Sequence, residues 1–164
     1  MKLAAHGITA DLPDGWEGAI SAESQERLQA QAHALGPPGQ PSDARPVAHF
    51  ATFGLPAERS DFGGTVVGGM RPDDVFVSLL EYGPEEAGSA LFSRRGLPWR
   101  LDAGDFSPRM LQRGVRGQSG LQVFFTERGR AFCLYVVLGA DADRARLVRR
   151  VEQVLATIQI EDRT

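Results

Sequence analysis

With a single cysteine, Cys133, the chain can form no internal disulfide, and the cytoplasm is the expected compartment. Lysine is almost missing as well: of 18 basic residues only Lys2 is not arginine. Together with abundant alanine and glycine, that skew points to GC-rich coding rather than a demand for guanidinium chemistry. No apolar run approaches the ~20 residues of a membrane span, and Met1 to Gly7 lack the apolar block and cleavage-type ending of a secretory signal. Histidine is scarce and scattered. His6, His33 and His49 stand in three separate segments with no H-x-x-H or H-E-x-x-H spacing, so neither a metal nor any other cofactor is expected. Ser93, Ser107 and Ser119 lack a G-x-S-x-G elbow, while Gly63-Gly64 and Gly68-Gly69 lack the Gly-Lys-Ser/Thr of a phosphate loop. These absences favour a non-enzymatic protein.

What is present is a well-patterned scaffold. A chain of 164 residues is read as one domain, 1–164, able to bury roughly 70% of its unfolded surface. Its organising stretch runs from Leu121 to Ile160. Leu121 to Thr126 and Ala131 to Leu138 are rich in β-branched and aromatic residues and flank a short polar turn with a glycine, which predicts a hairpin. The second strand is apolar on both faces, as a strand inside a covered sheet must be. Cys133 lies in its middle and reads as a buried, unreactive thiol. Leu147, Val148, Val151, Val154, Leu155 and Ile158 then recur at helical spacing, with Arg146, Arg149, Arg150, Glu152 and Gln153 opposite.

Earlier segments extend that platform. Ile8 to Leu12, Pro13-Asp14-Gly15 and Trp16 to Ile20 predict an N-terminal hairpin. Ser21 to Leu35 carries a thin apolar stripe and suggests a marginal surface helix, and Gly36 to Pro46 is proline-rich, so 21–46 is expected to be a surface insertion or mobile loop. Val47 to Phe53 and Val75 to Tyr82 predict strands, and a polar strand is expected from Met110 to Val115. His49, beside Phe50, reads as a satisfied sheet residue. The pairs Asp73-Asp74 and Glu85-Glu86 fall in turns, where adjacent side chains point apart and remain solvated.

Charge is unevenly spread. Residues 1–93 hold 5 basic and 13 acidic side chains, whereas 94–130 hold 8 arginines against Asp102, Asp105 and Glu127. This polarity reads first as attraction between the two halves of one fold, the alternative being a surface that steers a charged partner. Gly83 to Phe106 is the longest stretch without regular pattern, and long loops in compact domains are often functional. Arg94, Arg95, Arg100, Arg109, Arg113 and Arg116, interleaved with Phe92, Trp99 and Phe106, are candidates for gripping a protein partner or an anion. With aromatics in such a loop, plugging a sheet edge is the competing role. Nucleic acid is the weaker reading, because the chain is acidic overall and no reading motif occurs. The candidate contact set is therefore Arg94, Arg95, Trp99, Arg100, Arg109, Arg113 and Arg116. The alternative is a small-ligand or enzymatic domain with a pocket between sheet and loop.

Three groups of residues carry a resemblance. Asp11-Leu12-Pro13-Asp14-Gly15-Trp16 resembles the strand–turn–strand opening of Mog1/PsbP-like domains. Asp73 to Tyr82, Phe124 to Glu127 and Gly129 to Tyr135 resemble an uncharacterised actinobacterial group of that fold, and Val154 to Ile158 resembles its closing helix. The resemblance implies an α+β fold, a central antiparallel sheet covered by helices as an α/β/α sandwich. It also implies docking to other proteins rather than catalysis. It supplies no catalytic residue.

Overall fold

In the computed structural model, which describes residues 1–22 and 45–162, the fold is built outward from the strongest hairpin. Strands β6 (Ser119–Glu127) and β7 (Arg130–Leu138) pair antiparallel over their whole length. The two residues between them, Arg128 and Gly129, both take positive φ, 51° and 72°. That is the type I′ geometry whose twist matches two right-handed strands, and glycine at its second position makes it cheap.

On the other side of β7 lie β5 (Val75–Glu81), β4 (Val47–Ala51) and β3 (Glu17–Ser21), giving a five-stranded antiparallel sheet in the order β3-β4-β5-β7-β6. The doubly apolar β7 is thus central, as its pattern requires, and every one of its residues is buried. Its partner β6 is an edge strand. A second sheet of three short strands joins β1 (Lys2–Ala5), β2 (Ile8–Asp11) and β8 (Gln159–Ile160), in the order β1-β2-β8. The N-terminal hairpin expected across Pro13-Asp14-Gly15 is not formed. The turn carries the chain from one sheet to the other, β2 pairing with β1 and β8, and β3 with β4.

One face of the large sheet is covered by regular elements. Helix α1 (Arg144–Leu155) lays Leu147, Val148, Val151, Val154 and Leu155 against Val77, Leu79, Leu134 and Val136, and the small sheet adds Ile8, Ala10 and Ile160. The apolar periodicity is read correctly, but the helix stops at Leu155. Ile158 N–H closes a turn on the Leu155 carbonyl, and the chain then re-extends into β8.

The opposite face is covered by irregular chain. Phe53, Leu55, Phe62, Val67 and Met70 from one segment, and Leu111 and Val115 from another, pack on Ala51, Phe76, Tyr135 and Val137. Short 3-10 turns at Gly64–Gly69 and Pro108–Met110 lie within these segments. The polar strand expected from Met110 to Val115 does not form. Gly120 shows why chain passes here, since a Cβ on it would meet the Leu111 backbone nitrogen at 3.3 Å and its side chain at 2.8 Å. The fold is therefore α+β with antiparallel sheets and few helices. The described residues place a helix on one sheet face only, so the helices expected on both faces are not shown. The helix expected in 21–46 falls almost wholly outside the described residues.

Candidate functional site

The 83–106 segment threads the β6 edge. Phe92 packs beside Tyr82 and Phe124 on the irregular face, with ring centroids 5.2 and 5.4 Å away. The chain then crosses the edge at Thr126, whose N–H donates to the Arg94 carbonyl at 2.8 Å and whose carbonyl accepts from Gly96 N–H at 2.9 Å. Leu97, Leu101, Ala103 and Phe106 continue on the helix face. At Ser107 the chain crosses back, exchanging two 3.0 Å backbone bonds with Gly120. Two outward-facing positions of β6, about 20 Å apart by strand rise, are thereby satisfied. Strapping an edge in this way denies it to strands of other molecules. Phe92 and Phe106 serve this covering role.

Trp99 does not. It is 53% exposed, and the Arg100 guanidinium lies over its ring, 4.7 Å from the centroid. Leu101 N–H donates to Glu152 Oε2 at 3.2 Å, fixing this part of the loop to α1. Between them lies an open groove of about 510 Å³ lined by Trp99, Arg100, Arg149, Glu152, Gln153 and Ala156. Arg94 and Arg95 sit exposed where the strap crosses at Thr126, and Arg109 follows the crossing at Gly120. Arg113 and Arg116 are exposed further along the irregular cover. None of the six arginines makes an ion pair among the described residues. The structure brings Trp99 and Arg100 together with Arg149, a residue absent from the expected set. The other arginines are spread along the β6 edge rather than gathered in one pocket.

Two polar groupings lie within the core; the sequence reads His49 as a satisfied sheet residue, which it is, but not its partners. On the irregular face His49 and Ser78 are cross-strand neighbours, 3% and 0% exposed. Arg59 Nε–H donates to His49 Nδ1 at 2.8 Å, so the ring proton sits on Nε2 and is donated to the Asp61 carbonyl at 2.9 Å. Ser78 Oγ donates to the same carbonyl at 2.6 Å. Burial, reinforced by the Arg59 charge and opposed by the Asp61 bond, lowers the His49 pKa to about 4. Serine, histidine and aspartate are thus close together without a nucleophile's geometry. The hydroxyl proton points at a carbonyl, and both imidazole nitrogens are engaged elsewhere. Polar residues set mid-strand between apolar ones, as in Val77-Ser78-Leu79, are the signal that could have exposed this grouping.

The second grouping is Arg130 with Glu81, 3% and 1% exposed. Arg130 donates from Nε and Nη2 to the two carboxylate oxygens at 3.0 and 2.9 Å. Its remaining donors reach the His6 carbonyl at 2.9 Å, Glu161 at 3.0 Å and Gly7 at 3.4 Å. One guanidinium thus ties the large sheet to the turn and end of the small one. Cys133 is buried, and desolvation pushes its thiol up to about 12, the opposite of activation. Among the described residues no three His, Cys, Asp or Glu side chains gather as metal ligands, and no helix is long and apolar enough to cross a membrane.

The fold and these sites define an antiparallel α+β domain with an exposed tryptophan–arginine groove. No protein-family model, curated protein or solved structure matches the chain.

Proposed function

We propose that this chain is a non-enzymatic protein-interaction domain that binds its partner through the 83–106 segment and adjacent arginines, with Trp99 and Arg100 at the centre of the contact. Trp99 carries the reading: it is half in water while the other large aromatics of its segment, Phe92 and Phe106, are buried. Tryptophan and arginine are the residue types on which protein contacts most often depend. Arg94, Arg95, Arg109, Arg113 and Arg116 would supply an electrostatic rim that speeds encounter. A Mog1/PsbP-like α/β/α scaffold and a cytoplasmic, bacterial setting belong to the same proposal, the first resting on the resemblance of the sequence segments named above.

The test is a pull-down with wild type, Trp99→Ala and Arg94→Glu/Arg95→Glu/Arg100→Glu, the recovered protein being purified and rebound in isolation. Loss of rebinding by both folded variants is expected. Unchanged rebinding removes this surface from the reading.

A second reading, a small-ligand or enzymatic domain, rests on a different feature. A groove of about 530 Å³ lies between Glu127 and Arg128 at the hairpin tip and residues Ile158 to Asp162. Thermal-shift screening decides it, since ligand at 100 times its dissociation constant adds about 2.7 kcal/mol of stability.

A further inference from the structure

We infer that the Trp99 groove takes an acidic peptide segment, seating an apolar side chain on the indole and Ala156 and flanking carboxylates on Arg100 and Arg149. The inference rests on the interaction reading and specifies the chemistry of the partner. Its first support is how Arg100 is used. The guanidinium carbon lies over the Trp99 ring, 4.7 Å from its centroid, and the N–H groups make no hydrogen bond or ion pair among the described residues, so they can pair with a carboxylate in bidentate fashion. The contact with the ring restrains the side chain, so less rotamer freedom is lost on binding.

The second support is charge. Arg100 and Arg149 line the same groove, both exposed, and neither has an ion-pair partner among the described residues. The one acid of the lining, Glu152, accepts the Leu101 N–H at one oxygen and keeps its charge, so two arginines against one carboxylate leave the groove positive by a single charge. Gln153 adds an amide that can serve a peptide backbone as donor or acceptor. The same acids argue against a nucleic acid in this groove. Glu152 lies in its wall, Asp102 and Asp105 are exposed on the same segment, and the chain carries a net charge of −3, so a continuous phosphate backbone would meet repulsion. A few discrete carboxylates avoid it.

The chain contains its own reporter. Of its two tryptophans, Trp16 is 6% exposed and Trp99 is 53% exposed, so changes in indole emission on binding report chiefly on the groove. The probes are a blocked pentapeptide with a central leucine flanked by glutamates, its glutamine counterpart, its alanine-centred counterpart, inorganic phosphate and a single-stranded oligonucleotide. The expected result is a saturable emission change with the acidic leucine peptide. Affinity should fall about tenfold or more with either counterpart, with Arg149→Glu, and with Arg100→Lys, which keeps the charge but loses stack and fork. Both substituted positions are exposed, and circular dichroism checks that each variant is folded. Equal binding of the glutamine peptide, tighter binding of phosphate or oligonucleotide, or no response to any peptide overturns the inference. If the pull-down partner still depends on Trp99 in that event, the interaction surface stands and only the acidic chemistry falls. If the partner ignores Trp99, both fall.

Discussion

The two faces of the large sheet are covered by different kinds of chain, and each cover has its own polar requirement. On one face α1 and the small sheet satisfy most of their own backbone groups and need mainly apolar contact from below. On the other, irregular segments bring carbonyls and N–H groups that regular structure has not paired. The sheet answers with buried polar side chains. His49 and Ser78 donate to the Asp61 carbonyl, Gln118 Nε2 donates to the Val67 carbonyl at 2.6 Å, and the Tyr135 hydroxyl accepts from Gln112 N–H at 2.8 Å. Each of these bonds joins a side chain of the sheet, or of the residue leading into it, to loop backbone. Arg130 does the same on the regular face, where the His6-Gly7 turn and the exit from β8 arrive. His49, Ser78, Gln118, Tyr135 and Arg130 therefore mark where irregular backbone is held.

The largest expected effect comes from attacking the regular cover. Val151, 0% exposed, faces the sheet, so Val151→Asp buries a charge with no counter-ion and should abolish the cooperative near-ultraviolet dichroism of the whole domain. Survival of a cooperative thermal transition would mean that α1 is dispensable and the comparison is wrong.

Arg130→Leu ranks second. It removes a guanidinium from beside the buried Glu81 carboxylate and strips three loop carbonyls of a donor, which should lower stability by about 3–5 kcal/mol in urea titration. Glu81→Leu/Arg130→Leu should recover only part of that loss, because the His6 and Glu161 carbonyls lose this donor, while Gly7 keeps the Glu161 N–H. Full recovery would reduce the grouping to a simple ion pair.

His49 predicts a pH dependence on the irregular face. Its folded pKa is depressed to about 4 from the ordinary 6.5, so the unfolded chain binds the proton more readily. The stabilising contribution is complete above pH 6.5 and declines as pH falls toward 4, by up to about 3 kcal/mol. His49→Phe should flatten the stability profile across that window. An unchanged slope would place the titration elsewhere.

The smallest expected change is Tyr135→Phe, which deletes the acceptor for Gln112 N–H and should cost about 1 kcal/mol. The instructive readout is local. Amide exchange should quicken across 107–116 while α1 stays protected, and a uniform loss of protection would merge the two covers into one unit.

The regular face was the more legible one. Helical spacing located α1, and the doubly apolar pattern of 131–138 put β7 inside a sheet. The irregular face was legible only in part: His49 reads as a satisfied sheet residue and proves to be one, but loops have no period to read, and nothing local names Arg59 or the Asp61 carbonyl as its partners. The candidate contact residues, Trp99 among them, all lie exposed. Arg149 is not in that set because it lies about fifty residues from Arg100 in sequence, across a loop–helix contact that no local signal announces.

Composition and local pattern, acting over a few residues, are enough to set strand, turn and helix, and they determined the β6–β7 hairpin with its Arg128-Gly129 turn and the apolar stripe of α1. Only tertiary structure decided that β2 and β3 part into different sheets, that 83–106 straps the β6 edge, and that Trp99 remains outside. Those outcomes depend on which distant backbone groups compete for the same hydrogen bonds and the same buried surface, a contest settled by the whole chain at once.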